Sequence, residues 1–250
     1  DFFGGDKQET MRLYEEILSD ADDHGLMVIF HGCTLPRGWE RMYPNYVGSE
    51  AVLASENMVF SQHFCDEEAF NTCLHPFIRN AVGCMEFGGC FLNKRLNRNN
   101  DGGTTRRTTD IFQLATAILF QNPVQNFALA PNNLNDVSPV CMDFMKQVPV
   151  TWDETVALEA KAGEYAIIAK RKGDKWFIGG MTNNGQTERE FAVKLDFLKK
   201  DRAYQMTSFE DGINAGRQAM DYRCKSSQVK NGDVLTVKMV RNGGFAAVIE

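Results

Sequence analysis

Residues 6–30 decide the fold class of this chain, and their sequence is DKQETMRLYEEILSDADDHGLMVIF. Apolar side chains recur at helical spacing over residues 6–22 and mark one broad face, which predicts an amphipathic helix. Gly25 follows this segment and suits the left-handed position at a helix end. Residues 26–30 are continuously apolar over the length of a strand. A helix, a glycine stop and a fully buried strand form the αβ half of a βαβ unit, so we expect a parallel sheet.

Further segments extend this α/β pattern to about residue 149. Helical periodicity predicts additional helices, and short apolar runs predict additional strands. The expected helices cover residues 66–73, 106–121 and 137–147, and the expected strands cover residues 81–85 and 126–130.

The pattern changes to short strands near residue 150. Turn signals such as Asn231-Gly232 separate six apolar segments, which predicts an antiparallel β-sandwich. We therefore place one domain at 1–149 and another at 150–250. Because a complete (β/α)₈ barrel takes about 250 residues, the first domain is too short to be one. We interpret it as the latter half of a TIM-type barrel in a chain that begins partway through a larger protein.

Composition excludes several classes of function. Lys and Arg number 27 against 33 Asp and Glu, and the formal net charge of −6 argues against nucleic-acid binding, which needs a basic patch. No apolar run approaches the roughly 18 residues of a membrane helix, so we expect no membrane partner. The seven cysteines include no Cys-x-x-Cys pair, which supports neither a zinc site nor a disulfide framework.

The loop that follows the strand at 26–30 carries the candidate chemistry. In parallel α/β folds, catalytic residues lie on loops at the carboxyl ends of strands, where residues 31–45 are expected. Two carboxylates across a cleft are what glycoside hydrolysis needs, one as acid and one as nucleophile or base. Acidic candidates at strand ends and in loops are Asp1, Glu40, Glu50, Glu56 and Glu86.

Two other residues of this loop have more than one interpretation. His31 at the strand end is a candidate general base, metal ligand, sugar-binding donor or structural histidine. Trp39 beside Pro36 and Gly38 is either a platform for stacking on a sugar or a core residue. We predict that His31, Trp39 and Arg41 bind the substrate.

The same loop, with the two glutamates after it, resembles glycoside hydrolase family 97, a family of α-glucosidases and α-galactosidases. The resemblance covers essentially the whole chain and is most specific over residues 31–56. It implies an N-terminal sandwich, a central (β/α)₈ barrel and a C-terminal sandwich, of which this chain matches the latter half of the barrel and the last domain. Matching segments include HGCTLPRGWERMYPN at 31–45, PFIRN at 76–80, GCMEF at 83–87 and TWDE at 151–154.

The resemblance also implies roles for particular residues. Glu56 matches the general acid, and Glu50, with Glu56 close by, matches a ligand of an active-site Ca²⁺. Inverting members carry a glutamate base immediately after the loop histidine, where this chain has Gly32. Retaining members carry an Asp nucleophile in an Asp-Phe context, which Asp1 fits. The expected activity is therefore that of a retaining α-galactosidase on oligosaccharides, in the periplasm or secreted, with the N-terminal half of the same protein as partner.

Two alternatives stay open at this point. An inverting α-glucosidase of the same family is opposed by Gly32. A non-catalytic carbohydrate-binding piece would use the C-terminal sandwich, where Tyr165 and Trp176 are possible platforms for a sugar ring.

Overall fold

The fold is that of a computed structural model, which describes residues 2, 4–183, 185 and 187–250. The proposed nucleophile Asp1 lies outside the described residues. Phe3, Asn184 and Gln186 also lie outside them.

The N-terminal part begins with the predicted helix and strand. Helix α1 (Gln8–Asp23) buries Tyr14 and Leu18, which are four residues apart and so share one face. Gly25, at φ +66°, follows the end of the helix, as the sequence predicts. Strand β1 (Val28–Phe30) then pairs in parallel with β2 (Tyr46–Ser49). The parallel pairing predicted from the helix–strand pattern is therefore present.

A third segment joins this parallel pair through a single bridge. Met85 pairs in parallel with Ser49, but residues 81–84 form no strand. Residues 126–130 form no strand either, so that prediction is wrong. Their apolar side chains Phe127 and Leu129 pack against a helix-rich core while the backbone stays irregular. A half-barrel is not established by these described elements and remains a prediction.

Further helices lie between residues 57 and 147. The three predicted helices are found with different ends, at Gln62–Ile78, Asp110–Leu119 and Pro139–Gln147. The helices are α2 (Asn57–Phe60), α3 (Gln62–Ile78), α4 (Asp110–Leu119), α5 (Asn133–Asp136) and α6 (Pro139–Gln147). No helix in the described part of the chain is long and apolar enough to cross a membrane.

The C-terminal part consists of antiparallel strands, as predicted. The strands are β3 (Glu154–Lys161), β4 (Tyr165–Lys172), β5 (Lys175–Thr182), β6 (Glu188–Lys194), β7 (Ala203–Asp211), β8 (Tyr222–Lys230), β9 (Val234–Val240) and β10 (Gly244–Ile249). Six of them form one sheet in the order β3-β4-β5-β10-β7-β8, and β6 pairs with β9 in a second sheet.

Two cores cover opposite faces of the six-stranded sheet. One lies between the two sheets and includes Ile178, Val237 and Phe245. The other lies between the large sheet and helices α4 and α6 and includes Leu114 and Phe144. Tyr165 and Trp176, the possible platforms for a sugar ring in this part, pack on phenylalanines. Tyr165 contacts Phe191, and Trp176 contacts Phe197. The helices thus share a continuous core with the C-terminal sheets.

Candidate active site

Three polar side chains stand at corresponding positions of the parallel segments. His31 follows β1, Glu50 follows β2, and Glu86 follows Met85. The backbone N–H of Glu50 donates to the carbonyl oxygen of Phe30 at 2.8 Å, and that of Glu86 donates to Ser49 at 3.0 Å. Because the carboxyl ends of parallel strands meet at one edge, these side chains converge.

The imidazole of His31 is the centre of the cluster. Its Nδ1 lies 2.9 Å from Oε2 of Glu86, and its Nε2 lies 3.0 Å from Oε1 of Glu56. Nε2 is also 3.7 Å from Oε2 of Glu50. The structure therefore brings together His31, Glu50 and Glu56, three of the residues that the sequence predicts, and adds Glu86.

Opposing effects act on the protonation of His31. Partial burial alone would lower the pKa of His31, but its hydrogen bonds to the carboxylates of Glu86 and Glu56 outweigh burial, so the pKa is raised. A neutral imidazole has one N–H, whereas both ring nitrogens here face a carboxylate. The geometry therefore suits a doubly protonated imidazole, which donates from Nδ1 to Glu86 and from Nε2 to Glu56.

Glu50 is the buried carboxylate of the group. Its exposed fraction is 6%, and its Oε2 accepts a 2.9 Å hydrogen bond from the backbone N–H of Gly32. Burial raises the pKa of Glu50, against the opposing effects of that hydrogen bond and of nearby His31. A positive charge beside Glu50 would therefore offset the cost of keeping it ionised.

The same group has the geometry of a cation site. One ligand atom each from His31, Glu50 and Glu56 lie within 4.8 Å of one another. Two carboxylate oxygens suit a hard cation such as Ca²⁺, which takes six to eight oxygen ligands. These residues therefore fit part of a calcium site, and the remaining oxygens would come from water, from substrate or from elsewhere in the protein.

Glu56 stands at the open side of the cluster. Its side chain is 48% exposed and borders a cavity of about 200 Å³. His31 and Glu86 form the polar wall of this cavity, and its apolar wall includes Val59, Phe87 and Phe91. Mixed polar and apolar walls of this kind are typical of small-ligand sites.

Trp39 and Arg41 do not join this cavity. Trp39 is 2% exposed and stacks on Tyr14 at 4.7 Å, so it is a core residue and the prediction of a sugar platform is wrong. Its ring fills the space between α1 and β1, which leaves neither face open to a ligand. Arg41 is exposed at the end of the 3-10 helix Trp39–Arg41 and does not line the cavity.

Two further residues complete the polar network. Glu86 follows the segment at 81–85 that the sequence analysis predicts as a strand, but the sequence does not show that this carboxylate meets His31. Asn126 has no signal in the sequence at all. Its Nδ2 donates to Oε1 of Glu86 at 2.9 Å, from a segment 40 residues away along the chain.

Two family models match the chain. The first, described as glycoside hydrolase 97, matches residues 1–52, and the second, described as glycosyl-hydrolase 97 C-terminal, oligomerisation, matches residues 151–250. The chain belongs to glycoside hydrolase family 97. The family resemblance predicted from the loop at 31–56 is confirmed.

Several glycosidases are similar to this chain. A retaining alpha-galactosidase of Bacteroides thetaiotaomicron is 32% identical, and the alignment covers 100% of this chain and 38% of the relative. A beta-arabinopyranosidase of known structure is 63% identical with a TM-score of 0.91, over 99% of this chain and 38% of that one. A family 97 enzyme of Pseudoalteromonas sp. strain K8, solved with panose, shares the fold at a TM-score of 0.84 and 23% identity, over 98% of this chain and 38% of that one. The chain thus spans less than two fifths of the length of these relatives.

Proposed function

We propose that the protein containing this chain is a retaining exo-glycosidase that releases terminal β-L-arabinopyranosyl residues and also hydrolyses α-D-galactopyranosides. The observation that carries the proposal is the 63% identity with a beta-arabinopyranosidase over 99% of this chain. The relative named as an alpha-galactosidase is 32% identical, which supports the galactoside as the second substrate.

The two sugars are close in shape. β-L-Arabinopyranosides and α-D-galactopyranosides share the configuration of every ring carbon, and they differ by the hydroxymethyl group on C5 of galactose. A pocket discriminates one extra or missing methylene by about 1–3 kcal/mol, or roughly 10- to 200-fold in kcat/KM, and we take this as the scale for the hydroxymethyl group. One active site can therefore accept both sugars with a clear preference.

Glu56 is the proposed acid/base. Its carboxyl borders the cavity, where a glycosidic oxygen would leave, and lies 3.0 Å from Nε2 of His31, within reach for proton transfer. Asp1 is the proposed nucleophile. In a retaining enzyme its carboxyl would lie about 5–5.5 Å from that of Glu56.

Glu50 and Glu56 are the residues of this chain that would hold Ca²⁺. A bound Ca²⁺ would offset the charge of the two carboxylates and offer a ligand position to a sugar hydroxyl. Glu50 itself is held by the N–H of Gly32, so its carboxylate stays in place at the strand end. His31 keeps the Glu56 carboxyl turned towards the cavity.

The test uses the full-length protein and four nitrophenyl glycosides. These are the β-L-arabinopyranoside, the α-D-galactopyranoside, the α-D-glucopyranoside and, as an anomeric control, the α-L-arabinopyranoside. We expect the largest kcat/KM on the β-L-arabinopyranoside, with the galactoside within about 200-fold. A preference for the glucoside would refute the proposal, and so would the absence of hydrolysis.

Anomeric outcome tests the retaining mechanism separately. Replacing Asp1 by Gly should abolish turnover, and azide should restore part of it by attacking from the vacated side. The glycosyl azide formed should have the anomeric configuration opposite to that of the substrate. Proton NMR of the first sugar released by the wild type should show retention, and release of the inverted anomer would identify an inverting enzyme.

A further inference from the structure

We propose that Glu86 and Asn126 are positioning residues for the acid/base. Together they fix the imidazole ring of His31, and through that ring they hold the carboxyl of Glu56. This inference rests on the proposed role of Glu56.

The backbone of Glu86 is anchored on both sides. Its N–H donates to the carbonyl oxygen of Ser49 at 3.0 Å, and the N–H of Met85 donates to Gln121 at 2.9 Å. The side chain leaves this anchored backbone with 19% of its surface exposed. Glu86 therefore occupies a defined position beside the end of β2.

Both carboxylate oxygens of Glu86 are already engaged. Oε2 accepts from Nδ1 of His31 at 2.9 Å, and Oε1 accepts from Nδ2 of Asn126 at 2.9 Å. An ionised carboxylate only accepts hydrogen bonds, so the amide nitrogen of Asn126 must face it. Although Glu86 borders the cavity, its two oxygens are committed to protein partners, which indicates a positioning role more than direct sugar binding.

Glu86 and Asn126 together determine the orientation of the His31 ring. Holding Nδ1 at Glu86 directs Nε2 towards Oε1 of Glu56, at 3.0 Å. Within the part of the chain that the structure describes, the side chain of Glu56 has no other hydrogen-bond partner. It is also 48% exposed, so it would sample several rotamers without His31.

The consequence for catalysis depends on the leaving group. A displaced acid slows the departure of an alcohol that needs protonation, whereas dinitrophenolate leaves without it. Misplacement of a catalytic group by about 1 Å can cost roughly 100-fold in rate. Loss of the positioning pair should therefore lower kcat/KM for an alkyl glycoside far more than for a dinitrophenyl glycoside of the same sugar.

The test reverses the donor and the acceptor of the hydrogen bond between Asn126 and Glu86 in the full-length protein. Asn126→Asp places a carboxylate against Glu86, and we expect kcat/KM for the methyl glycoside to fall about 10-fold or more. Glu86→Gln alone keeps an acceptor for His31 but removes the carboxylate charge beside the imidazole. Because the exposed amide of Asn126 can turn to accept from the new amide, we expect a smaller fall in kcat/KM than in Asn126→Asp. The double variant lets Gln at 86 donate to Asp at 126, and it should recover most of the activity lost in Asn126→Asp.

Control variants carry the same chemical changes on exposed positions. Glu67→Gln on α3 and Asn135→Asp on α5 should leave both substrates unaffected. If Glu86 instead binds a sugar hydroxyl directly, its variants will raise KM equally for both leaving groups. That result would overturn the inference, as would a double variant no better than Asn126→Asp.

A structural measurement separates this inference from the proposed function. Crystal structures of the Asn126→Asp and double variants should show the Glu56 carboxyl displaced in the first and restored in the second. An unmoved Glu56 in Asn126→Asp would overturn the inference even if the enzyme hydrolyses the expected sugars. Displacement and restoration would support it even if the wild type acts on a different sugar.

Discussion

Replacing Trp39 tests whether this residue stabilises the core or binds a sugar ring. The indole is 2% exposed, stacks on Tyr14 at 4.7 Å, and meets Tyr46 edge-on at 5.8 Å. Burying a ring of this size removes roughly 200 Å² of surface from water, which contributes about 5 kcal/mol. Truncation of a buried tryptophan costs about 3–5 kcal/mol. We therefore expect Trp39→Ala to lower the free energy of unfolding by about 4 kcal/mol.

The assay compares stability and substrate binding in the same variants. Guanidinium unfolding followed by circular dichroism gives the stability of the full-length protein, and KM is measured well below the unfolding midpoint. Trp39→Phe keeps an aromatic contact with Tyr14 and should cost about 1–2 kcal/mol with little change in KM. Ile213→Ala, at a side chain that is 93% exposed, is the control and should change stability by less than about 0.5 kcal/mol. A large rise in KM with unchanged stability would refute the core assignment.

Three other perturbations test different parts of the structure. Burial raises the pKa of Asp211 to about 7, so the folded state keeps a proton that the unfolded state releases near pH 4. The stability of the wild type should therefore fall as the pH rises from about 4 to about 7. Asp211→Asn has no such titration, so its free energy of unfolding relative to the wild type should rise by up to about 4 kcal/mol between pH 4 and pH 8. A difference that stays constant with pH would mean that the three hydrogen bonds to the Asp211 carboxylate offset its burial. Gly244→Ala would place a Cβ 2.4 Å from the backbone nitrogen of Phe112 and should lower the melting temperature, whereas Gly216→Ala, with no atom within 4 Å, should not. Chelation should lower activity and Ca²⁺ restore it, and Glu50→Gln should weaken Ca²⁺ binding in calorimetry without lowering the melting temperature; full activity in metal-free enzyme would exclude the calcium role.

Helices and regular strands were predictable because their side-chain periods appear directly in the sequence. The spacing over residues 6–22 predicts α1, and the apolar segment bounded by Gly243 and Glu250 predicts β10 with its observed ends. The change of period near residue 150 likewise predicts the antiparallel sheets. These signals are local, so a single segment carries them.

Elements without such a period were missed. Strand β8, with the sequence YRCKSSQVK, is exposed along most of its length and has no alternation to detect. Strand β3, with the sequence ETVALEAK, consists mainly of residues that favour helices and becomes a strand through pairing with β4. Strand β2 is four residues long and lies just after the loop at 31–45, in a segment for which the sequence analysis predicts no element. In each case, pairing with a neighbouring strand decides the structure.

The same limit applies to the candidate site. The sequence identifies acids in loops, but it does not tell which of them meet, because that depends on the register between distant strands. Glu86 reaches His31 because Met85 pairs with Ser49 one residue before Glu50, which aligns the two glutamates at the same edge.

Glu40, another acidic candidate of the sequence analysis, lies on the 3-10 helix beside Trp39 and forms no ion pair in the described part of the chain. The apolar segment at 81–85 predicts a strand before Glu86, but the structure keeps only the bridge between Met85 and Ser49, and the sequence does not show with which segment that bridge forms. An acid that depends on register rather than on a motif can therefore be recognised only once the parallel segments are aligned.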